Sequence, residues 1–122
     1  MSYFAKASRD ACLFAGVVIH VIATGAYASG SALLFDIGAL CWSLLPYGLL
    51  FSLGRKFGPG LSILCGAVVI LVIDIGALWS VYIRPGNSTA GLNLLVAPLV
   101  HLFVVLPIVV AGAFIERRRR AP

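Results

Sequence analysis

The amino-acid sequence predicts an all-α membrane protein in which four transmembrane helices form an up-down bundle with both termini in the cytoplasm. Three observations support this fold class. Hydrophobic residues make up 61% of the chain and charged residues only 11%, whereas a soluble domain carries about 25% charged residues. Four long apolar runs fill most of the sequence, and basic residues cluster on alternate sides of these runs.

Each apolar run is long enough to cross the hydrocarbon core of a bilayer, about 30 Å thick, as an α-helix. What remains is too short for a soluble domain of ordinary size, which needs roughly 50 residues. We therefore expect residues 1–122 to form a single integral-membrane domain. The predicted helices cover residues 11–28, 31–53, 61–83 and 93–115, and a basic tail covers residues 116–122.

The basic residues are distributed unequally between the two sides of the predicted bundle. Arg84 lies between the third and fourth runs, and the other eight of the nine Lys and Arg residues lie on the opposite side. The positive-inside rule assigns the basic side to the cytoplasm. We expect an N-in/C-in protein of the bacterial inner membrane, with the lipid bilayer as its immediate partner.

Four consecutive arginines, Arg117, Arg118, Arg119 and Arg120, follow the last run. Such a cluster can bind anionic lipid, at about 1 kcal/mol per basic residue near the membrane surface, or nucleic acid. Basic residues directly after a span are more commonly a topology anchor. We expect a cytoplasmic basic anchor and no nucleic-acid partner.

The first run also fits a second interpretation. Lys6 and Arg9 precede an apolar stretch that ends in Ala-Tyr-Ala at residues 26–28, a pattern similar to a signal peptide with its cleavage site. Cleavage would leave three spans and place the new N-terminus outside. His20 interrupts the segment where a signal peptide is most apolar, so we expect the first span to be retained.

The sequence carries no signature of catalysis or redox chemistry. Cys12, Cys41 and Cys65 lie inside apolar runs without Cys-x-x-Cys spacing, and we expect no disulfide. Gly-x-Ser-x-Gly, His-Glu-x-x-His and phosphate-loop patterns are missing from the sequence. We therefore expect neither an enzyme nor a bound cofactor.

Asp74 is the strongest candidate for a functional residue. An ionisable side chain at membrane depth costs about 2.5–3.5 kcal/mol on insertion scales and is a functional hypothesis by default. Folding the third and fourth spans about the intervening loop brings Asp74 roughly level with His101. The pair is compatible with a proton relay or with a static hydrogen bond between two helices, and we favour the static role.

Asp36, Thr24 and His20 complete the set of polar candidates within the spans. The tight connection at residues 29–30 places Asp36 opposite Thr24. We expect a structural hydrogen bond from Asp36 and a hydrogen-bonded packing role for His20, which has no evident partner in the sequence. The two histidines and two aspartates show neither His-x-x-x-His nor Glu-x-x-His spacing, so we expect no metal site.

The start of the last span, residues 88–99, begins with serine and threonine and is broken by Pro98. This segment resembles one in small bacterial inner-membrane proteins of uncharacterised function, and the resemblance implies no activity or site. The bundle size is similar to that of small drug-efflux proteins and small fluoride channels. The chain lacks the first-span glutamate expected of the former and the glycine-arginine pattern expected of the latter, so no residue is carried over.

Three functional hypotheses are compatible with these features. The first is an interaction protein: an accessory subunit of a membrane complex or an immunity protein against a membrane-active toxin, partnered by another membrane protein or a second copy. The second is an oligomeric transporter or channel with Asp74 and His101 on a proton or ion path. The third is a holin-like pore former, indicated by the short hydrophobic chain with a basic tail. The short loops and missing chemical motifs favour the first.

Overall fold

The computed structural model describes residues 2–27, 33–58, 60–84 and 92–120, and these residues form four long helices. All four helices are long and apolar enough to cross a membrane. This confirms the prediction of an all-α chain with four long apolar helices, and it fits an integral membrane protein. Helix α1 spans Ser2–Tyr27, α2 spans Leu33–Phe57, α3 spans Leu61–Ile83 and α4 spans Leu92–Arg120.

Three of these helices extend beyond the predicted spans. α1 begins at Ser2 and α2 continues to Phe57. α4 continues to Arg120, so residues 116–120, which we expected to form a tail, are helical. The end of an apolar run marks the end of the lipid-compatible surface, but the helix can continue beyond it. Lys, Arg and Glu are good helix formers, and cations are favourable at the C-terminus of a helix. The tight connection at residues 29–30 lies outside the described residues.

The helices pack with α2 and α3 each in contact with both α1 and α4. Consecutive helices run antiparallel: Arg9 of α1 lies against Gly54 of α2, and Ser62 of α3 is hydrogen-bonded to Glu116 of α4. The basic clusters therefore share one end of the bundle. We call the end that carries residues 6–9, 55–56 and 117–120 the basic end, and the end that carries residues 24–27, 33–36, 80–84 and 92–94 the opposite end.

Glycines allow neighbouring helices to approach closely at two levels. A Cβ atom at Gly16 of α1 would overlap the ring of Tyr47 on α2, and one at Gly66 of α3 would overlap Val109 on α4. Lipid supplies no hydrophobic force between helices, so their association depends on close packing through small residues and on hydrogen bonds. Gly16 and Gly66 therefore lie on the contact faces of their helices.

An apolar core fills the half of the bundle toward the basic end. Leu50, Ile63, Ala67 and Ile70 have no exposed surface. The residues packed around them come from α1 and α4: Leu13, Val105, Leu106, Val109 and Ala113. Tyr47 also belongs to this core, and nearer the basic end the charged side chain of Arg9 is buried.

Glu116 connects the last turns of α4 to the start of α3. Its Oε1 atom accepts hydrogen bonds from the backbone N–H of Ser62 at 2.8 Å and from the Ser62 hydroxyl at 2.5 Å. The first N–H groups of a helix have no partner within it, and the N-cap residue of α3, Gly60, offers no side chain. A carboxylate from another helix therefore performs the capping, where the helix dipole also favours a negative charge.

Helix α4 contains a wide π turn at His101–Val105, in which the N–H of Leu106 bonds to the carbonyl of His101. Pro107 follows this turn directly. Proline has no N–H to bond the carbonyl four residues earlier and its ring clashes with that carbonyl, which here belongs to Phe103. π turns are rare and frequently occur at functional sites. In this helix the turn begins at a buried histidine.

We expect Gly16→Ala to destabilise the bundle by about 1–3 kcal/mol, the usual cost of overpacking, because its Cβ overlaps the Tyr47 ring. Gly76→Ala is the matched control, since a Cβ there has no neighbour within 4 Å. Unfolding of the purified protein by sodium dodecyl sulfate from a mild detergent measures both. Equal stabilities of the two variants would contradict this account of the α1–α2 contact.

We expect Glu116→Ala to lower the free energy of unfolding by about 1–2 kcal/mol, because it removes a helix-capping acceptor. Glu116→Gln should lose less, since its amide oxygen still accepts a hydrogen bond from Ser62. The same unfolding measurement compares the two variants. Identical losses would show that Glu116 contributes through its charge and not as an acceptor.

Candidate functional site

One polar side chain from each helix reaches the same region of the bundle interior. His20 comes from α1, Tyr47 from α2, Asp74 from α3 and His101 from α4. Their exposed fractions are 4%, 2%, 2% and 0% in that order. We call these four residues the Asp74 cluster. It borders the apolar core on the side away from the basic end.

The carboxylate of Asp74 lies at the centre of the cluster. Its Oδ2 atom accepts a hydrogen bond of 2.6 Å from the hydroxyl of Tyr47. The Nε2 atom of His20 is 3.7 Å from Oδ2, and the Nε2 atom of His101 is 3.6 Å from Oδ1. Both imidazole distances exceed hydrogen-bond length but are short enough for a strong electrostatic interaction. The predicted proximity of Asp74 and His101 is therefore present, and His20 joins them.

His20 is held in one orientation by its own helix. Its Nδ1 atom lies 2.8 Å from the carbonyl oxygen of Gly16, one turn earlier. A carbonyl only accepts hydrogen bonds, so Nδ1 donates and Nε2 carries the lone pair in the neutral ring. The ring also packs edge-on against Tyr47, with centroids 5.7 Å apart. This geometry directs the basic nitrogen of His20 toward Asp74.

His101 has a different environment from His20. Neither of its ring nitrogens has a hydrogen-bond partner among the described residues, although both are buried. A buried polar group without a partner costs free energy, and such groups are uncommon in native structures. His101 is also the first residue of the π turn in α4. Its imidazole is therefore placed beside the Asp74 carboxylate without a fixed hydrogen bond.

Asp36 and Thr24 lie near the Asp74 cluster on the side of the opposite end. Both line a cavity of about 60 Å³ that also contacts His20, Ser43 and Tyr82. Asp36 is half-buried, and its Oδ2 atom has no hydrogen-bond partner among the described residues. The predicted placement of Asp36 opposite Thr24 agrees with their shared cavity, and the structural hydrogen bond that we expected from Asp36 stays a prediction.

The four arginines of the predicted anchor lie at the basic end, away from the cluster. Arg117, Arg118, Arg119 and Arg120 are all exposed. The Arg118 guanidinium lies 4.5 Å from the centre of the Phe114 ring, and the guanidinium of Arg120 is 3.6 Å from the carboxylate of Glu116. These contacts position the last helical turn and bring no arginine into the interior.

The side chains of the Asp74 cluster can form hydrogen bonds and exchange protons. The two imidazoles approach different oxygens of the carboxylate. Within the part of the chain that the structure describes, no group of three or more His, Cys, Asp or Glu side chains fits a metal site. Comparison with protein-family models, with curated proteins and with solved structures finds no match for this chain.

Tyr47 is the cluster member that was not among our sequence candidates. Its signal in the sequence is its position one turn after Ser43, on the same face of α2. Tyrosine is common at membrane interfaces, so its type alone does not indicate a buried partner. The contact depends on Gly16, because only a residue without a Cβ leaves room for the ring between α1 and α2.

We expect Tyr47→Phe and Asp74→Ala to be coupled by about 1–3 kcal/mol in a double-mutant cycle, because one variant removes the donor and the other removes the acceptor. Ser52→Ala provides the control, since the Ser52 hydroxyl bonds to Gly48 of its own helix and its effect should add to that of Asp74→Ala within about 0.5 kcal/mol. Detergent unfolding measures all variants. Additive effects for Tyr47 and Asp74 would contradict the hydrogen bond.

Proposed function

We propose that this chain is a small inner-membrane protein that moves protons, as a transporter or channel working as an oligomer, with Asp74, His20 and His101 as its proton-carrying centre. One observation carries the proposal. Each of the four helices contributes a buried polar side chain to a single cluster, and three of the four side chains, two imidazoles and one carboxylate, belong to types that carry protons in membrane proteins.

The geometry of the cluster favours proton exchange over a purely structural role. A static contact between helices is stabilising when every buried polar atom has a partner. Here both imidazoles are beyond hydrogen-bond distance from Asp74, and His101 has no partner among the described residues. A shift of less than 1 Å would bring each imidazole within hydrogen-bond distance of the carboxylate. The gain or loss of a proton would drive such a shift. We therefore favour proton exchange by Asp74 and His101, whereas the sequence alone favoured a static hydrogen bond between them.

Access to the cluster is asymmetric, and this supports a gated pathway. The apolar core closes the side toward the basic end, where Leu50, Ile63 and Ile70 are completely buried. Polar groups line a cavity beside the cluster on the side of the opposite end, whereas the small cavity that Glu116, Arg117 and Arg120 line at the basic end borders the core residue Ile63 instead. Passage of a proton across the whole bundle therefore requires a second conformation or an assembly of several copies.

The orientation of the protein follows from its charges. We propose that the basic end faces the cytoplasm, because residues 6–9, 55–56 and 117–120 carry most of its positive charge. Both termini are then cytoplasmic, and the cavity beside Asp36 faces the periplasm. The electrical potential of a respiring bacterium, negative inside, would drive protons from this side toward the Asp74 cluster.

A second candidate function is that of an interaction protein, either an accessory subunit or an immunity protein. Gly38 and Gly48 of α2 and Gly76 of α3 are exposed, with open space where a Cβ would be. Exposed glycines on a membrane helix allow another helix to approach closely. Affinity purification from gently solubilised membranes with mass spectrometry tests this candidate: a stoichiometric foreign partner supports it, and a homo-oligomer supports the transporter.

We expect Asp74→Asn to reduce proton flux to the level of empty liposomes, because asparagine cannot take up a proton. Wild-type protein should acidify proteoliposomes loaded with a pH-sensitive dye when a potassium diffusion potential is applied. Asp10→Asn is the matched control, since Asp10 lies near the basic end and is paired with Arg9. Wild-type flux no faster than that of empty liposomes, or full flux from Asp74→Asn, would refute the proposal.

A further inference from the structure

We propose that the cavity beside the Asp74 cluster is a water-filled vestibule that opens at the opposite end of the bundle and leads protons to His20, with Asp36 as its outermost carboxylate. This inference adds an entry route to the proposed function. It rests on the proposed function only in taking the proton as the ion that moves. We call the cavity the Asp36 vestibule. Its polar lining residues are His20, Thr24, Asp36, Ser43 and Tyr82.

The size and lining of the vestibule fit ordered water. Its volume is about 60 Å³, and a cavity needs only about 10–15 Å³ to hold one water molecule. A buried water also needs two to four polar partners. Thr24, Asp36, Ser43, Tyr82 and His20 supply hydroxyl, carboxylate and imidazole groups from α1, α2 and α3. An apolar cavity of this size would stay dry, but this lining provides enough partners.

Asp36 provides the specific indication that water is bound. Its Oδ2 atom is shielded from bulk solvent and has no hydrogen-bond partner among the described residues. An unpaired carboxylate oxygen is costly to bury, and a cavity water that donates a hydrogen bond removes this cost. The titratable groups that line the cavity with Asp36 are His20 from α1 and Tyr82 from α3, whereas α4 contributes only Leu94.

Burial increases along the vestibule from the opposite end toward the Asp74 cluster. Thr24, Asp36 and Tyr82 are half-buried, whereas Ser43 and His20 are 6% and 4% exposed. The outer residues are therefore more accessible to bulk solvent than the inner ones. His20 belongs to both the vestibule and the Asp74 cluster, so it joins them.

A proton can move along this arrangement without any other reactant. Neutral His20 has its Nδ1–H bonded to the Gly16 carbonyl, so the lone pair on Nε2 accepts a proton from vestibule water. Asp36 resupplies that water with a proton taken from solvent. Imidazolium Nε2 then lies 3.7 Å from Asp74 Oδ2 and can transfer its proton to the carboxylate, which returns His20 to its neutral form.

Silver ions test whether water fills the vestibule. Silver reacts with thiols, is small enough for the cavity and does not dissolve in lipid. In a background with Cys12, Cys41 and Cys65 replaced by alanine, Ser43→Cys places a thiol of similar size at the inner end of the vestibule. Ala67→Cys places one in the apolar core, where Ala67 has no exposed surface.

Membrane fragments that are open on both sides are exposed to silver nitrate and then dissolved in detergent. Maleimide–polyethylene glycol is added next. It labels only thiols that have not reacted with silver, and the labelled protein migrates more slowly on a gel. We expect silver to protect Ser43→Cys and not Ala67→Cys. Failure to protect Ser43→Cys, or equal protection of Ala67→Cys, would overturn the vestibule. This readout does not depend on transport, so it separates failure of the vestibule from failure of the proposed function.

Flux measurements then test the role of Asp36 in proteoliposomes. Asp36→Asn should slow proton uptake several-fold, and Asp36→Glu should restore most of it because the longer side chain still carries an exchangeable proton. Wild-type rates from Asp36→Asn would overturn the assignment of Asp36 while leaving Asp74 as the proton-carrying centre. Equal losses in Asp36→Asn and Asp36→Glu would show a structural role and would also overturn it.

Discussion

The buried carboxylate of Asp74 is the constraint on which the rest of the interior depends. A charge at this depth is costly unless partners surround it, and the chain supplies one from every other helix. The Tyr47 hydroxyl bonds to it directly, and the imidazoles of His20 and His101 lie just beyond hydrogen-bond distance. The position of each helix is thereby tied to the same few atoms.

The close packing of the helices serves this arrangement. Gly16 performs two tasks: its missing Cβ leaves room for the Tyr47 ring, and its carbonyl orients His20. At the basic end, the bond from Ser62 to Glu116 holds α3 and α4 in the register that brings Asp74 beside His101. Packing and polar contacts are therefore linked, so a change that separates two helices also disturbs the cluster.

The two halves of the bundle interior have different characters. Toward the basic end, the core consists mainly of buried apolar side chains, and their packing stabilises the bundle. Toward the opposite end, polar side chains line a cavity large enough for water. The Asp74 carboxylate lies at the boundary of these two regions. The proposed proton pathway rests on this difference between the two halves.

The sequence by itself determined the four apolar helices, the basic end and the common depth of Asp74 and His101. These properties depend on composition and on distance along a helix, which rises by 1.5 Å per residue, so counting residues is sufficient. Only the tertiary structure decided that Tyr47 and His20 join Asp74 and that His101 begins a π turn. Those contacts depend on the rotation of each helix and on which helices are neighbours, and close packing around glycines sets both.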